Sequence, residues 1–370
     1  MNVLNPNRIE FARIRRKWTK AKLASELNVD VRSVQGYEAG EYTPEPDKLE
    51  LIAGKLRFPV SFFFGDDLPV IAEHTASFRS MSKMSFSLMQ SALSSGSIAF
   101  LLNEWIASRF TLPEVNVPNL HDLAPEDAAA SLRRMWGLGE APIPNMIHLL
   151  ESKGIKVFSL AIEAKEVDAF SVWHKNQPFV FLNTQKSAEH SRFDAAHELG
   201  HLVRDSYSMM HGHAAHSPEM EKAANSFASA FLMPRNSVIA YKPTNTEMHQ
   251  LIELKTVWGV SLAALVYRMN QLGLLTEWGH RNLCIQIAKL GYRTKEPNPM
   301  RHETSKMLAK VFEMLKQENM SRADVARELS LLPEDIDTLT FGLVITNVPT
   351  NNDISKAKPT KRAGGLTLVK

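Results

Sequence analysis

Cysteine is nearly absent. Cys284 is the only one in 370 residues, which excludes an internal disulfide and the usual thiolate-rich zinc clusters. Long apolar runs are lacking too: no stretch approaches a membrane span, and the start, Met1-Asn-Val-Leu-Asn-Pro6, has no signal-peptide core. A cytoplasmic protein with no membrane partner is therefore expected. Charge of one sign is also missing, since 43 Lys and Arg against 40 Asp and Glu leave +3, too little to decide on a partner. What the chain has is apolar content, 44%, enough for two or three domains with proper cores.

The most informative segment is Arg192-Phe-Asp-Ala-Ala-His197-Glu198-Leu-Gly-His201-Leu, an HExxH motif inside a stretch with helical apolar spacing. Histidines four apart point from one helical face and can grip one ion through their imidazole nitrogens. Glu198 can lie against the open side of such an ion, where a carboxylate takes a proton from water. A catalytic zinc site normally takes three protein ligands, so a third is needed. Downstream, Ser217-Pro218-Glu-Met-Glu221 combines a capping Ser, Pro at the first helical position and first-turn acids, and the helix it starts should stop at Pro234. Glu221 is the candidate third ligand; the plainer alternative is an acid that only complements the helix dipole. Between the helices, His211, His213 and His216 form a His-rich loop and an alternative source of a ligand.

These residues resemble the ImmA/IrrE family of zinc metallo-endopeptidases. The likeness rests on His197-Glu-Leu-Gly-His201, Glu221-x-x-x-Asn225-x-Phe227-Ala and Phe231-Leu-Met-Pro234. It extends upstream through Phe179-Val-Phe-Leu-Asn183, Arg192-Phe193, Trp136-Gly-Leu-Gly139 and Leu149-Leu-Glu-x-x-Gly154-Ile155. The resemblance implies Zn2+ held by His197, His201 and a glutamate on the next helix, with Glu198 as general base for attack on a peptide carbonyl. Chain Ala223 stands where many members carry a further acid. For the oxyanion, Tyr207, Tyr241, His211, His213 and His216 all remain candidates.

At the other end, Arg8-Ile9-Glu-Phe11-Ala-Arg-Ile14-Arg-Arg-Lys17 has helical apolar spacing and a basic end. Thr19 to Val29 then gives a short capped helix with a turn at Asn28, and Asp30 to Gly40 a second capped helix ending at glycine. Two short helices joined by a tight turn form a helix-turn-helix, whose second helix enters the major groove. The stretch resembles the XRE (lambda-repressor-like) family, including Pro44-x-x-x-x-Leu49-x-x-Ile52-Ala53 and Phe58-Pro59-Val60-x-x-Phe63-Phe64. By position Arg32, Ser33 and Gly36 face bases, with Gln35 a further candidate, while Lys20 and Lys22 lie near the phosphate backbone. A module used only for protein contact is the alternative, because residues 1–60 hold just 11 Lys and Arg against 8 Asp and Glu. A charge this small calls for a homodimer on a double-stranded DNA operator.

The expected fold is mainly α with a small β component. It comprises a helix-turn-helix bundle over 1–65, a helical linker over 66–124 with helix expected across 70–112, a zincin-like peptidase domain over 125–275, a C-terminal helical domain over 276–345 and a disordered tail over 346–370. Strands are expected at Ile155–Ser159, Ala169–Trp173 and Phe179–Leu182. The Met and Leu stripe after Phe78-Arg79-Ser80 reads as core or dimer packing in preference to a ligand groove. No internal repeat stands out, although Met320 to Ile336 mimics the N-terminal capped-helix pattern and is a candidate second, degenerate helical pair. The parts suggest a DNA-bound regulator carrying a zinc-dependent endopeptidase, whose protein substrate the resemblance places among helix-turn-helix repressors. Alternatives are a non-catalytic metal- or metabolite-sensing repressor, and the repressor-antitoxin half of a toxin pair.

Overall fold

The computed structural model describes residues 3–72, 77–78, 85–160, 169–205 and 217–342. It is mainly helical with one small sheet, and its contacts divide it into two compact units. The first unit is built from residues up to Val70, from Phe86–Glu114 and from Lys306 onward. The second takes Ile71–Ser85 and Val115–Ser305. Among the described residues no helix is long and apolar enough to cross a membrane.

The first unit opens with α1 (Pro6–Arg15), α2 (Lys20–Leu27), α3 (Val31–Ala39) and α4 (Pro46–Leu56). Thr19 caps α2 by accepting from the Lys22 amide at 3.1 Å, and Asp30 caps α3 by accepting from the Arg32 amide at 2.8 Å. Asn28 makes the turn between them in the left-handed region, φ 51°, where a short polar side chain is tolerated. Ile9, Leu23, Leu27, Val34, Ile52 and Phe62 are buried, and the Arg13 guanidinium grips both oxygens of buried Glu38, fixing α1 against α3.

On this bundle lies α5 (Phe86–Ala107), whose Met, Leu and Ser residues are largely buried. Arg15 of α1 donates to Ser95 Oγ at 2.7 Å and pairs with Asp335 at 2.8 Å. The helix expected over 70–112 is therefore shorter, and Ser77–Phe78 forms β1, paired with a strand far away in sequence. Such an edge strand exists through its long-range partner and carries no local periodicity.

Three further helices of the first unit, α14 (Lys306–Gln317), α15 (Arg322–Glu328) and α16 (Pro333–Leu339), repeat the backbone of α1 to α3. Left-handed Lys17, cap Thr19 and left-handed Asn28 recur at the same spacing as left-handed Asn319, cap Ser321 and left-handed Ser330. The turn bonds recur as well: the Val29 amide meets Ala24 O at 3.0 Å, and the Leu331 amide meets Ala326 O at 2.8 Å. The apolar quartet Leu23, Ala24, Leu27 and Val34 has buried counterparts in Val325, Ala326, Leu329 and Ile336. The second copy is thus a helix-turn-helix in geometry. Its last helix carries Glu334, Asp335 and Asp337 where α3 carries Arg32, Ser33 and Gln35.

The second unit holds α6 (Pro125–Met135) and α7 (Met146–Ser152), then β2 (Lys156–Leu160), β3 (Ala169–His174) and β4 (Gln177–Asn183). The strand order is β1-β3-β4-β2, with β2 parallel to β4 and the other pairs antiparallel. Lys175 and Asn176, both at positive φ, make the two-residue turn of the β3–β4 hairpin. Phe158, Phe170, Phe179 and Phe181 stack on one side of the sheet. Next come α8 (Ala188–Arg204), α9 (Pro218–Leu232), α10 (Arg235–Tyr241), α11 (Met248–Trp258), α12 (Leu262–Gln271) and α13 (Glu277–Lys289). After α13 the chain runs without a helix to Ser305 and clamps α8: Glu303 pairs with buried Arg192, and the Met300 amide donates to Glu189 at 2.9 Å.

Candidate metal centre and nucleic-acid interface

The motif helix α8 starts at Ser187, which caps it by accepting from the His190 amide, and passes beneath the sheet. Its apolar positions Ala195, Ala196, Leu199 and Val203 are fully buried, and so are His197, Glu198 and His201. Gly200 explains how α9 comes so close: a Cβ there would stand 3.0 Å from the Phe227 ring and 3.4 Å from the Ala224 Cα. That approach brings Glu221, in the first turn of α9, over the two imidazoles. His197 Nε2 and His201 Nε2 lie 3.0 Å apart, and each faces a Glu221 carboxylate oxygen at 3.3 Å.

Three donors about 2.1 Å from one tetrahedral ion stand about 3.4 Å from one another. The imidazole nitrogens, 3.0 Å apart, each have their own Glu221 oxygen at 3.3 Å, close to that spacing, and the donor set of two imidazoles and one carboxylate suits zinc. Electrostatics point the same way. Burial lowers the His201 imidazole pKa, but its hydrogen bonds to Asp205 and Glu221 and the charge of Glu198 outweigh burial and raise it to about 10. Burial likewise works to raise Glu221, yet both histidines hold it well below the usual carboxylate range. The carboxylates around these imidazoles favour positive charge at their Nε2 edge, which an ion supplies as readily as a proton.

Asp205 Oδ2 lies 2.6 Å from His201 Nδ1 and so turns Nε2 toward the other donors. Sequence reasoning missed Asp205, although its place four residues after His201 is a helical signal. It also missed Ser171 on β3, whose Oγ donates to Glu198 Oε2 at 2.7 Å; a strand residue 27 positions away has no local marker. Glu198 Oε1 is buried with no hydrogen-bond partner among the described residues. Burial pushes the Glu198 carboxyl up to about 8, against the opposing pull of His201 and Ser171. A carboxyl tuned close to neutral pH, with one oxygen uncommitted, can take up and return a proton. Tyr241 packs edge-on against Trp258 and is half exposed, while Tyr207, His211, His213 and His216 lie outside the described residues.

The IrrE N-terminal-like domain family matches residues 150–270, which contain the whole cluster. The chain carries a peptidase-family domain. A helix-turn-helix family matches residues 9–63, so the chain joins the two kinds of module. No curated protein matches it.

In the helix-turn-helix, Arg32 and Gln35 of α3 are exposed and Ser33 is half-buried. Gly36, expected to face bases, is instead covered: a Cβ there would lie 2.2 Å from the Tyr42 ring, whose hydroxyl donates to Arg32 O at 3.2 Å. Glycine at this position makes room for Tyr42. Lys20 pairs with Glu38 at 3.3 Å, and Lys22 pairs with Glu26 at 2.5 Å while lying over the Trp18 ring. Both lysines keep substantial exposure, 39% and 53%, so phosphate can compete with these acids.

Proposed function

We propose that this chain is a DNA-binding regulator whose IrrE N-terminal-like domain is a zinc-dependent endopeptidase acting on a regulatory protein. The observation that carries the reading is the triangle of His197 Nε2, His201 Nε2 and Glu221, with the uncommitted carboxylate of Glu198 beside it. His197, His201 and Glu221 would hold the ion, and Asp205 orients His201. A bound zinc supplies Lewis acidity toward water and a peptide carbonyl. Glu198 takes the proton from the attacking water and delivers it to the leaving nitrogen, with Ser171 holding its other oxygen. In the metal-free site, burial along α8 raises this carboxyl above the usual carboxylate range, which favours its taking up a proton.

At the other end, Arg32 and Gln35 would read base edges, Ser33 would add a contact, and Lys20 and Lys22 would meet phosphates as a homodimer sits on its operator. The second copy keeps a cation, Arg322, where α2 has Lys20, but its last helix α16 carries Glu334, Asp335 and Asp337 in place of Arg32, Ser33 and Gln35 and so lacks the residue types for reading bases. The test is cleavage. The zinc-loaded chain is incubated with helix-turn-helix repressors and with the products of neighbouring genes. Wild type should cut one of them, and Glu198→Gln should retain zinc while losing at least about 100-fold in rate. Equal cleavage by that variant would end the mechanism. Zinc-dependent release of DNA with no cleaved partner would replace it with a sensor.

A further inference from the structure

The chain makes a detour to form β1. Its sequence neighbours, the residues up to Val70 and those from Phe86, belong to the first unit, yet Ile71–Ser85 belongs to the second. The chain leaves one unit and returns to it, and within that excursion Ser77–Phe78 lies on the edge of β3 as a strand. A strand edge is a ready template for an extended peptide, because its amides and carbonyls pair with whatever backbone arrives. Here the chain fills that place itself.

The place matters because of what stands opposite. β1 pairs with Phe170 and Ser171, and Ser171 Oγ donates to Glu198 Oε2 at 2.7 Å. Neighbouring strands run about 4.8 Å apart, so a peptide on this edge passes one strand spacing from the residue that holds the candidate general base. Residues directly opposite each other point to the same face of a sheet, which for Ser171 is the face where α8 carries Glu198. The grip of β1 is short. β4 pairs with all six residues of β3, whereas β1 pairs with two of them, and among the described residues no other strand lies on that edge. A backbone hydrogen bond contributes little net, so a two-residue strand persists because it is tethered to its partner in one chain, and a longer strand can displace it.

We infer that Ser77–Phe78 is a built-in competitor that holds the strand position of the peptide substrate, an inference that rests on the peptidase reading. An extended segment of the substrate displaces it from β3 and so comes to lie beside Glu198. The partner this edge fits is an unfolded stretch of polypeptide, gripped through its main chain.

The test uses the metal-free full chain, so that binding is read apart from cleavage. The probe is a fluorescein-labelled peptide of residues 71–85, added in trans and followed by fluorescence anisotropy. Ser77→Pro combined with Phe78→Pro removes both strand amides and leaves the cluster of α8 and α9 untouched. This double variant should bind the probe at least about 10-fold more tightly than wild type, as when the edge of wild type is open no more than about a tenth of the time. Hydrogen exchange should show the bound probe protecting residues 169–174. Zinc uptake equal to wild type checks that the domain is intact. If the prolines abolish it, Ser77→Gly with Phe78→Gly, which weakens the strand without forbidding it, takes their place with a gain of at least about threefold. Equal probe binding by wild type and variant, or protection elsewhere than on β3, would overturn the inference. On a protein that the zinc-loaded wild type cuts, the proline variant should show a KM lower by about the same factor and an unchanged kcat, as expected of removing a competitor for binding. An unchanged KM would likewise overturn it. If the probe behaves as expected while no protein is cut, the peptidase reading fails and β1 stands as a displaceable strand on a peptide-binding edge.

Discussion

Residues 20–36 and the cluster of His197, Glu198, His201, Asp205 and Glu221 place their ionisable groups in opposite surroundings. In the helix-turn-helix, Arg32 and Gln35 face solvent, and the two lysines are matched by acids of their own module, Glu38 and Glu26. In the candidate metal centre, two imidazoles and Glu198 are fully buried, and they meet one another, Glu221, Asp205 and Ser171. Water and salt blunt each charge in the first place, so each contributes little until DNA arrives. In the second place no solvent relieves a missing partner, and each deletion leaves a charge uncompensated. The difference teaches that the buried set behaves as one unit, whereas the exposed set is a sum of small, separable contacts.

Substitutions can break that contrast. The largest effect is expected from His201→Ala, which removes one of three donors and leaves Asp205 and Glu221 without their shared partner. Zinc affinity, measured by competition with a chromophoric chelator, should fall by more than about 100-fold. Asp205→Asn keeps all three donors and loses only the group that orients His201, so a fall of about 10- to 100-fold is expected in the same assay. If either variant bound zinc as wild type does, the buried set would not be a unit.

On the exposed side the effects should be smaller and additive. Arg32→Ala should cost about 1–3 kcal/mol on the cognate operator and flatten sequence preference, read by binding to operator variants. Lys20→Ala should weaken all sequences about equally and lower the slope of log affinity against log salt by about one. A double variant whose loss greatly exceeded the sum of the two would show that the reading surface is coupled like the metal centre.

Both sites were legible in sequence to the degree that their residues sit at fixed local spacing. His197 and His201 are one helical turn apart, and the caps Thr19, Asp30 and Ser217 mark helix starts that the structure places at Lys20, Val31 and Pro218. The strands expected near 155–159, 169–173 and 179–182 appear at 156–160, 169–174 and 177–183, because short runs of aromatic and β-branched residues such as Phe179-Val-Phe-Leu182 mark them. What local spacing does not carry is contact between distant segments. Ser171 reaches Glu198 from a neighbouring strand, Glu303 holds Arg192 from over 100 residues away, and Ser77–Phe78 pairs only through the sheet edge. Gly36 was misplaced for the same reason: its position on α3 is right, but the Tyr42 ring that covers it comes from the following loop. The second helix-turn-helix was visible only as a mimic, because backbone turns and apolar positions repeat while the surface residues do not.

The most direct test of the account is where a metal sits. Crystals of the zinc-loaded chain, measured with X-rays on both sides of the zinc absorption edge, should give one anomalous peak per chain. It is expected within about 2.0–2.2 Å of His197 Nε2, His201 Nε2 and a Glu221 oxygen. A peak held by His211, His213 or His216 in place of these, or no peak at the triad in a fully loaded protein, would contradict it.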